Sequence, residues 1–306
     1  MSRFGFGYIF PSRVNPQPLL MISGFVGGVY RMIYSRDGIT WTTNTGFTVP
    51  GNYSWYAVGS LSGTPCFLAG ENSNVNSYLY TNDPMAGWTG GTVPGTAGGS
   101  GAFSATEVVI LSLSGSGSQR ATAIAGSWTA IATINARCVI HDGTVFVAAG
   151  TNAIYTAASA SGTWTNRASA TYTMNDVAKG DDGLYVAVGV SGAMRTATSP
   201  TGTWTSRTSS FGSDNINGVC KGASYWVAVG NAGKIATATD PTGTWTQRTS
   251  GTSDAINKVV YNAALGLYVA STTSGILTAT DPTGPWTART TPSSTAVRGI
   301  LSLEEW

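Results

Sequence analysis

Residues able to do chemistry are scarce in this sequence. It has a single histidine and three cysteines among 306 residues, with 14 Asp+Glu against 16 Lys+Arg. Hydrolysis of a glycoside needs two carboxylates flanking the scissile bond. The glutamates are Glu71, Glu107, Glu304 and Glu305, and two of these stand at the extreme C-terminus. Asp176, Asp181, Asp182, Asp214 and Asp254 recur mostly at equivalent turn positions, where carboxylates serve to bond backbone N–H groups. A Ser/His/Asp relay would have to use His141, yet His141-Asp142-Gly143 reads as a turn between two strands. Cys66, Cys138 and Cys220 are odd in number, widely spaced and set in apolar runs. They read as buried small hydrophobes, with neither a disulfide framework nor a zinc set. Neither catalysis, nor a metal, nor a cofactor is expected.

Binding chemistry has one denser cluster, Asn52, Tyr53, Trp55 and Tyr56. Exposed aromatic rings stack on sugar faces and a nearby amide bonds hydroxyls, so these four are the candidate ligand-binding residues. The alternative is that Trp55 or Tyr56 simply opens a strand. Tyr172 and Phe211 are weaker candidates of the same kind. Charged residues make up 10% of the chain, against about 25% in an average domain. The net charge is +2 and no run of Lys or Arg marks a phosphate-binding face, which argues against nucleic acid. The longest apolar run, Pro18 to Phe25, is too short and too Gly-broken to span a bilayer, and the N-terminus lacks the features of a secretory signal.

The elements that must position these residues come from a repeat. Trp41, Trp88, Trp128, Trp164, Trp204, Trp245 and Trp286 follow one another at intervals of 47, 40, 36, 40, 41 and 41 residues. The later copies are close in text: SPTGTWTSRTSS from Ser199, DPTGTWTQRTSG from Asp240 and DPTGPWTARTTP from Asp281. Each unit divides into four short strands. In the sixth these begin at Ile216, Tyr225, Lys234 and Trp245, separated by Gly/Asn/Asp/Pro turns. Seven four-stranded units of this pitch predict an all-β, seven-bladed β-propeller of antiparallel blades, since radial stacking covers both faces of each small sheet. A β-solenoid has shorter repeats, and a two-sheet sandwich would not show seven copies. After the last Trp, a segment at about residues 295–303 aligns with the first strand of the other units and is expected to complete blade 1. That closure joins the chain ends and removes a sheet edge. The propeller then occupies residues 17–306, and residues 1–16 form an N-terminal arm.

Arg167, Arg207, Arg248 and Arg289 fall three residues after their Trp. They could make a basic ring for an anionic glycan, but outer-strand arginines bonding neighbouring blades or turn carbonyls is the favoured reading. Asn135, Asn175, Asn217 and Asn257 begin first strands and read as turn-side amides rather than a metal ring.

The turn SRDGITW, Ser35 to Trp41 with Asp37, Gly38 and Thr40, resembles the Asp-box of bacterial neuraminidase repeats with one residue deleted. Asp83, Asp240 and Asp281 mark degenerate copies, while blades 4 and 5 carry Ser in place of Asp and blade 3 keeps only GSW. The resemblance places the box between the third and fourth strands of a blade. A sialidase of that family would need three convergent arginines, a Tyr/Glu pair and an acidic donor, with an Arg-Ile-Pro motif near the start, and FPSRVNP does not match. The Thr/Gly-rich propeller with degenerate boxes and an arm is similar to repeats of bacteriophage tail, fibre and virion-surface proteins. This implies a non-enzymatic virion component in a multimeric assembly, attached to other virion proteins through the arm and blades 1 to 3. It also makes a bacterial surface glycan the candidate ligand. A glycan-active hydrolase is the alternative.

Overall fold

A computed structural model of the chain describes residues 17–50, 53–70, 77–93, 99–113, 117–132, 134–169 and 172–304. The arm at 1–16, Asn52, Glu71 and Glu305 lie outside the described residues. Seven four-stranded antiparallel sheets form a seven-bladed propeller. Blade 1 takes its inner strand, Leu301–Leu303, from the C-terminal segment, and this pairs antiparallel with Leu19–Val26 through Leu19↔Leu303 and Met21↔Leu301. The closing pair is shorter than the segment expected at 295–303, because residues 295–300 approach in irregular backbone. The inner strands of blades 2 to 7 are Trp55–Leu61, Ser100–Phe103, Ala136–His141, Met174–Lys179, Ile216–Lys221 and Ile256–Asn262. Each packs against the next and the circle closes through Leu301–Leu303.

Among the described residues the core divides into seven apolar clusters, one per blade interface, and each takes the Trp of the later blade. Trp41 lies between blades 7 and 1, Trp88 between 1 and 2, Trp128 between 2 and 3, and so on to Trp286 between 6 and 7. Five of the indoles are buried, whereas Trp88 and Trp128 are half-buried. In blades 2, 4, 5, 6 and 7 the indole Nε1–H donates to the carbonyl four residues earlier, at Pro84, Ala160, Pro200, Pro241 and Pro282, over 3.1–3.2 Å. The PTG turn thus positions the ring, and the outer strand starts one residue later, at Thr165, Thr205, Thr246 and Thr287 in blades 4 to 7.

The Arg series is structural. Arg167, Arg207, Arg248 and Arg289 each donate from Nε to a threonine Oγ1 on the third strand of the same blade, at 2.7–2.9 Å. The turn Ser35 to Trp41 of blade 1, read from the sequence as a box, is closed by its own side chains. Ser35 Oγ accepts from Gly38 N at 2.8 Å, and Asp37 Oδ1 accepts from Ile39 N and Thr40 N at 2.8 Å each. Gly38 has φ +72°, and a Cβ there would run into Leu267 of blade 7, so the position suits glycine on both counts. Asp83, Asp240 and Asp281 cap their turns in the same way through the N–H of Met85, Thr242 and Thr283.

Candidate functional site

The inner strands enclose a central channel that opens into two cavities. The wider, of 800 Å³, lies at the starts of the inner strands, and the narrower, of 390 Å³, at their ends. Both are bounded by Tyr56, Val139, Val177 and Lys258. Lys258 Nζ lies 2.7 Å from each oxygen of Asp176, reaching from blade 7 to blade 5, and Asp176 Oδ2 also accepts from Val219 N at 3.0 Å. Asp176 is fully buried. Burial would pull the Lys258 ammonium down, but the Asp176 carboxylate outweighs it and holds the pKa above the ordinary lysine value. Cys138 and Cys220 stand beside this pair. Burial, with the Asp176 charge adding to it, pushes the Cys138 thiol up to about 12, and burial does the same for Cys220, also to about 12. Neither supplies a thiolate at neutral pH.

Around the wider cavity, backbone irregularity sets the side chains. In blades 4 to 7 the inner strand carries a bulge, skipping one residue between Ala136 and Cys138, Met174 and Asp176, Ile216 and Gly218, and Ile256 and Lys258. The bulged residues, Arg137, Asn175, Asn217 and Asn257, are re-aimed toward the mouth. Three of them latch blades together. Asn175 Nδ2 donates to Ile216 O at 2.9 Å, Asn217 Nδ2 to Ile256 O at 3.0 Å and Asn257 Nδ2 to Val297 O at 2.9 Å. Asn135, grouped with these amides in the sequence, sits two residues before the bulge, where its carbonyl accepts from Thr151 N. The residue equivalent to Asn175 in blade 4 is Arg137. Asn215, Thr273, Ser54 and Ser100 add to the amide and hydroxyl lining, and Gly101 and Gly299 also border the cavity.

The ring closure, the seven interfaces and the channel now allow comparison with known folds. The chain resembles YCF48 propellers. YCF48 from Cyanidioschyzon merolae aligns with a TM-score of 0.59 at 14% identity, over 78% of this chain and 86% of that one. YCF48 bound to D1 peptide aligns with a TM-score of 0.60 at 17% identity, over 83% and 92%. At these identities the likeness is one of fold. No protein-family model matches the sequence, and no curated protein is significantly similar to it.

The aromatic cluster expected to bind sugar is not an exposed loop surface. Tyr53 is 2% exposed and packs between blades 1 and 2, its N–H donating to Ser23 Oγ at 2.7 Å. Trp55 is 8% exposed and opens the inner strand of blade 2, the alternative raised by the sequence. It shares a cluster with Leu68 and Phe103. Trp55 and Tyr56 reach the channel as wall. Strand alternation on a sheet covered on both faces explains this, because successive residues of Trp55–Leu61 point to opposite neighbours, Trp55 toward blade 3 and Tyr56 toward blade 1.

The other carboxylates read from the sequence are engaged in blade-to-blade or turn contacts. Asp142 accepts from Tyr185 Oη at 2.5 Å, Asp182 from Trp226 Nε1 at 3.0 Å, Asp214 pairs with Lys234 at 2.7 Å and Asp254 bonds Ser274. Glu107 Oε1 accepts from Ala160 N at 2.6 Å, tying blade 3 to blade 4. His141 lines the narrower cavity, and its Nδ1 accepts from Gly143 N at 3.2 Å. Burial lowers its pKa below the ordinary value, so the ring is neutral at pH 7.

Proposed function

We propose that the chain is a non-enzymatic component of a bacteriophage particle, of the tail, fibre or surface-decoration kind. In this reading its N-terminal segment and blades 1 to 3 attach to other virion proteins, and the wider end of the channel meets a glycan of the bacterial surface. The observation that carries the binding reading is the polar lining of that cavity, which includes Asn175, Asn215, Asn217, Asn257 and Thr273, with Asp176 as the one carboxylate among the described residues, closed off by Lys258. Amide oxygens and hydroxyls bond sugar hydroxyls, whereas a carboxylate already neutralised and buried is poorly placed to protonate or attack a glycoside. Degenerate box turns that hold only their own backbone fit a scaffold role. That a similarly folded propeller is bound to a peptide is in keeping with an attachment surface for protein on such a fold.

The test has two arms. On an array of bacterial surface glycans the purified chain is expected to retain at least one glycan, and mass spectrometry of that glycan after incubation should show it intact. Cleavage would make the protein a hydrolase. Mass spectrometry of purified particles should find the chain in the virion fraction, and a variant lacking residues 2–16 should fall out of it.

A further inference from the structure

The two ends of the amide ring are arginines. Asn257 bonds Val297 O as Asn217 bonds Ile256 O and Asn175 bonds Ile216 O, so Val297 is the counterpart of Ile256, and Arg298 that of Asn257. Five consecutive blades, from 4 round to 1, therefore place Arg137, Asn175, Asn217, Asn257 and Arg298 at one level of the mouth. The three asparagines donate to the following blade. The two arginines do not, and neither guanidinium has a hydrogen bond or an ion pair among the described residues. Both are exposed and both line the 800 Å³ cavity. Blades 2 and 3 separate them on one side and blades 5 to 7 on the other, so they stand on opposing sides of the opening.

The charge balance at this mouth is one-sided. Lys258 and Asp176 cancel one another, and among the described residues no other carboxylate lines the cavity, which leaves the two guanidiniums uncompensated there in a chain that uses charge sparingly. At the matching level blades 5 to 7 carry asparagines that latch to the next blade, whereas Arg137 and Arg298 present five-donor cations without such a bond among the described residues. Guanidinium forks match carboxylates in a bidentate manner. The surrounding amides and Thr273 suit hydroxyl groups. We infer that the wider mouth of the channel is a site for an acidic saccharide, its carboxylate held by Arg137 and Arg298 and its hydroxyls by the asparagine ring. This rests on the glycan reading above and adds the chemical class of the sugar.

The probes are uronic-acid oligosaccharides (galacturonate, glucuronate and mannuronate), their carboxyl-reduced neutral counterparts, and poly-glutamate, titrated calorimetrically. At least one uronate should bind, its reduced counterpart should bind about tenfold or more weakly, and binding should weaken between about 50 and 500 mM NaCl. Arg137→Asn and Arg298→Asn should each cost about tenfold in affinity, the size of one charge-assisted hydrogen bond. Asparagine is what blades 5 to 7 carry at this position, so both variants should keep the wild-type melting temperature or exceed it, separating lost binding from lost folding. Absence of uronate binding, equal binding of the reduced sugars, or affinity unchanged in the double variant would each overturn the inference. Poly-glutamate binding as tightly as any uronate would assign the mouth to an acidic peptide instead. If neutral sugars bind with no dependence on the arginines, the acid inference fails while the glycan reading stands.

Discussion

Blades 4 to 7 and blades 1 to 3 have the same four strands and the same place for the indole, but they are fastened differently. In the first group two bonds recur in all four blades, the indole to the carbonyl four residues back and the arginine to a threonine on the third strand, and blades 5 to 7 add the bulge amide to the next blade. In the second group blade 2 keeps only the indole bond, from Trp88 to Pro84 O, and blades 1 and 3 find devices of their own. Blade 1 closes its turn with Ser35 and Asp37, and Trp41 Nε1 is buried without a partner among the described residues. In blade 3 a hydroxyl from blade 2 is interposed, since Trp128 Nε1 donates to Tyr78 Oη at 2.7 Å and Tyr78 donates to Ile124 O, the carbonyl four residues back, at 2.7 Å. Textual repetition thus records repeated hydrogen bonds. Where the text drifts, the apolar wedge is kept and the polar fastening is replaced.

The largest effect that would sharpen this contrast is truncation of the wedge itself. Trp245→Ala empties a fully enclosed site between blades 5 and 6 and also frees Pro241 O, so it should cost about 3–5 kcal/mol. Trp88→Ala, at a half-buried indole between blades 1 and 2, should cost about half as much. Urea denaturation of the two variants side by side measures the gap. Equal losses would mean that regular and irregular interfaces are equally tight and that the comparison has no energetic content.

This pattern also explains what could be read in advance. Blade number, strand order and closure were legible because they depend on period-2 alternation, turn residues and seven similarly spaced tryptophans, all of which are local or repeated. The anchoring by Trp and the capping of turns by Asp followed for the same reason, whereas the arginines, expected to bond neighbouring blades or turn carbonyls, bond a threonine on the third strand of their own blade. Asn135 was grouped with the wrong level because a bulge inserts a residue without leaving a mark in composition, so Arg137 was passed over as the partner of Asn175. Trp55 and Tyr53 could not be placed as core from their types, since an aromatic beside an asparagine looks alike at a loop and at a strand start. Asp176 and Lys258 are 82 residues apart and occur once, so neither period nor motif joins them. What the letters lacked were the single, long-range contacts across the channel, and the candidate site is made of these.

The Asp176–Lys258 pair is the second point of leverage, because it lies entirely within the regular arc. Lys258→Met leaves a carboxylate that is 2% exposed with one backbone N–H for company, and should cost about 3 kcal/mol, at the low end for a broken buried pair because the lysine side chain is itself 34% exposed. Adding Asp176→Asn should recover most of that loss, as replacing both charges removes the stranded one. Thermal melts of the single and double variants read this directly. The sign of the pH dependence follows from the raised lysine pKa: the contribution is complete below the unfolded-state value near about 10.4 and declines only as pH rises beyond it. A stability difference between wild type and Lys258→Met that fades between about pH 6 and 8 would mean that the two groups do not pair as charges.

The smallest effect distinguishes the box of blade 1 from its degenerate copies. Burial is the largest single influence on Asp37 and opposes its ionisation, but the N–H groups of Thr40 and Ile39 with the Ser35 and Thr40 hydroxyls together outweigh it and bring the pKa down to about 2. A folded-state pKa depressed below the unfolded value of about 3.9 gives stability that is present above that value and lost as pH falls from about 4 through about 2. Asp37 is exposed, so solvent screening holds its share to about 1 kcal/mol or less. Asp37→Asn should therefore lower stability slightly at neutral pH, with the difference from wild type vanishing near about pH 2. Asp240 and Asp281 are also held below the usual carboxylate range, each chiefly by a backbone N–H two residues on, from Thr242 and Thr283. Their turns have a further fastening in the indole bond to Pro241 or Pro282, which the box of blade 1 lacks. Asp281→Asn should consequently move the acid-unfolding midpoint less than Asp37→Asn does. If it moves the midpoint as far, the indole-to-carbonyl bond contributes nothing to holding the turn, and the regular blades are fastened no better than blade 1.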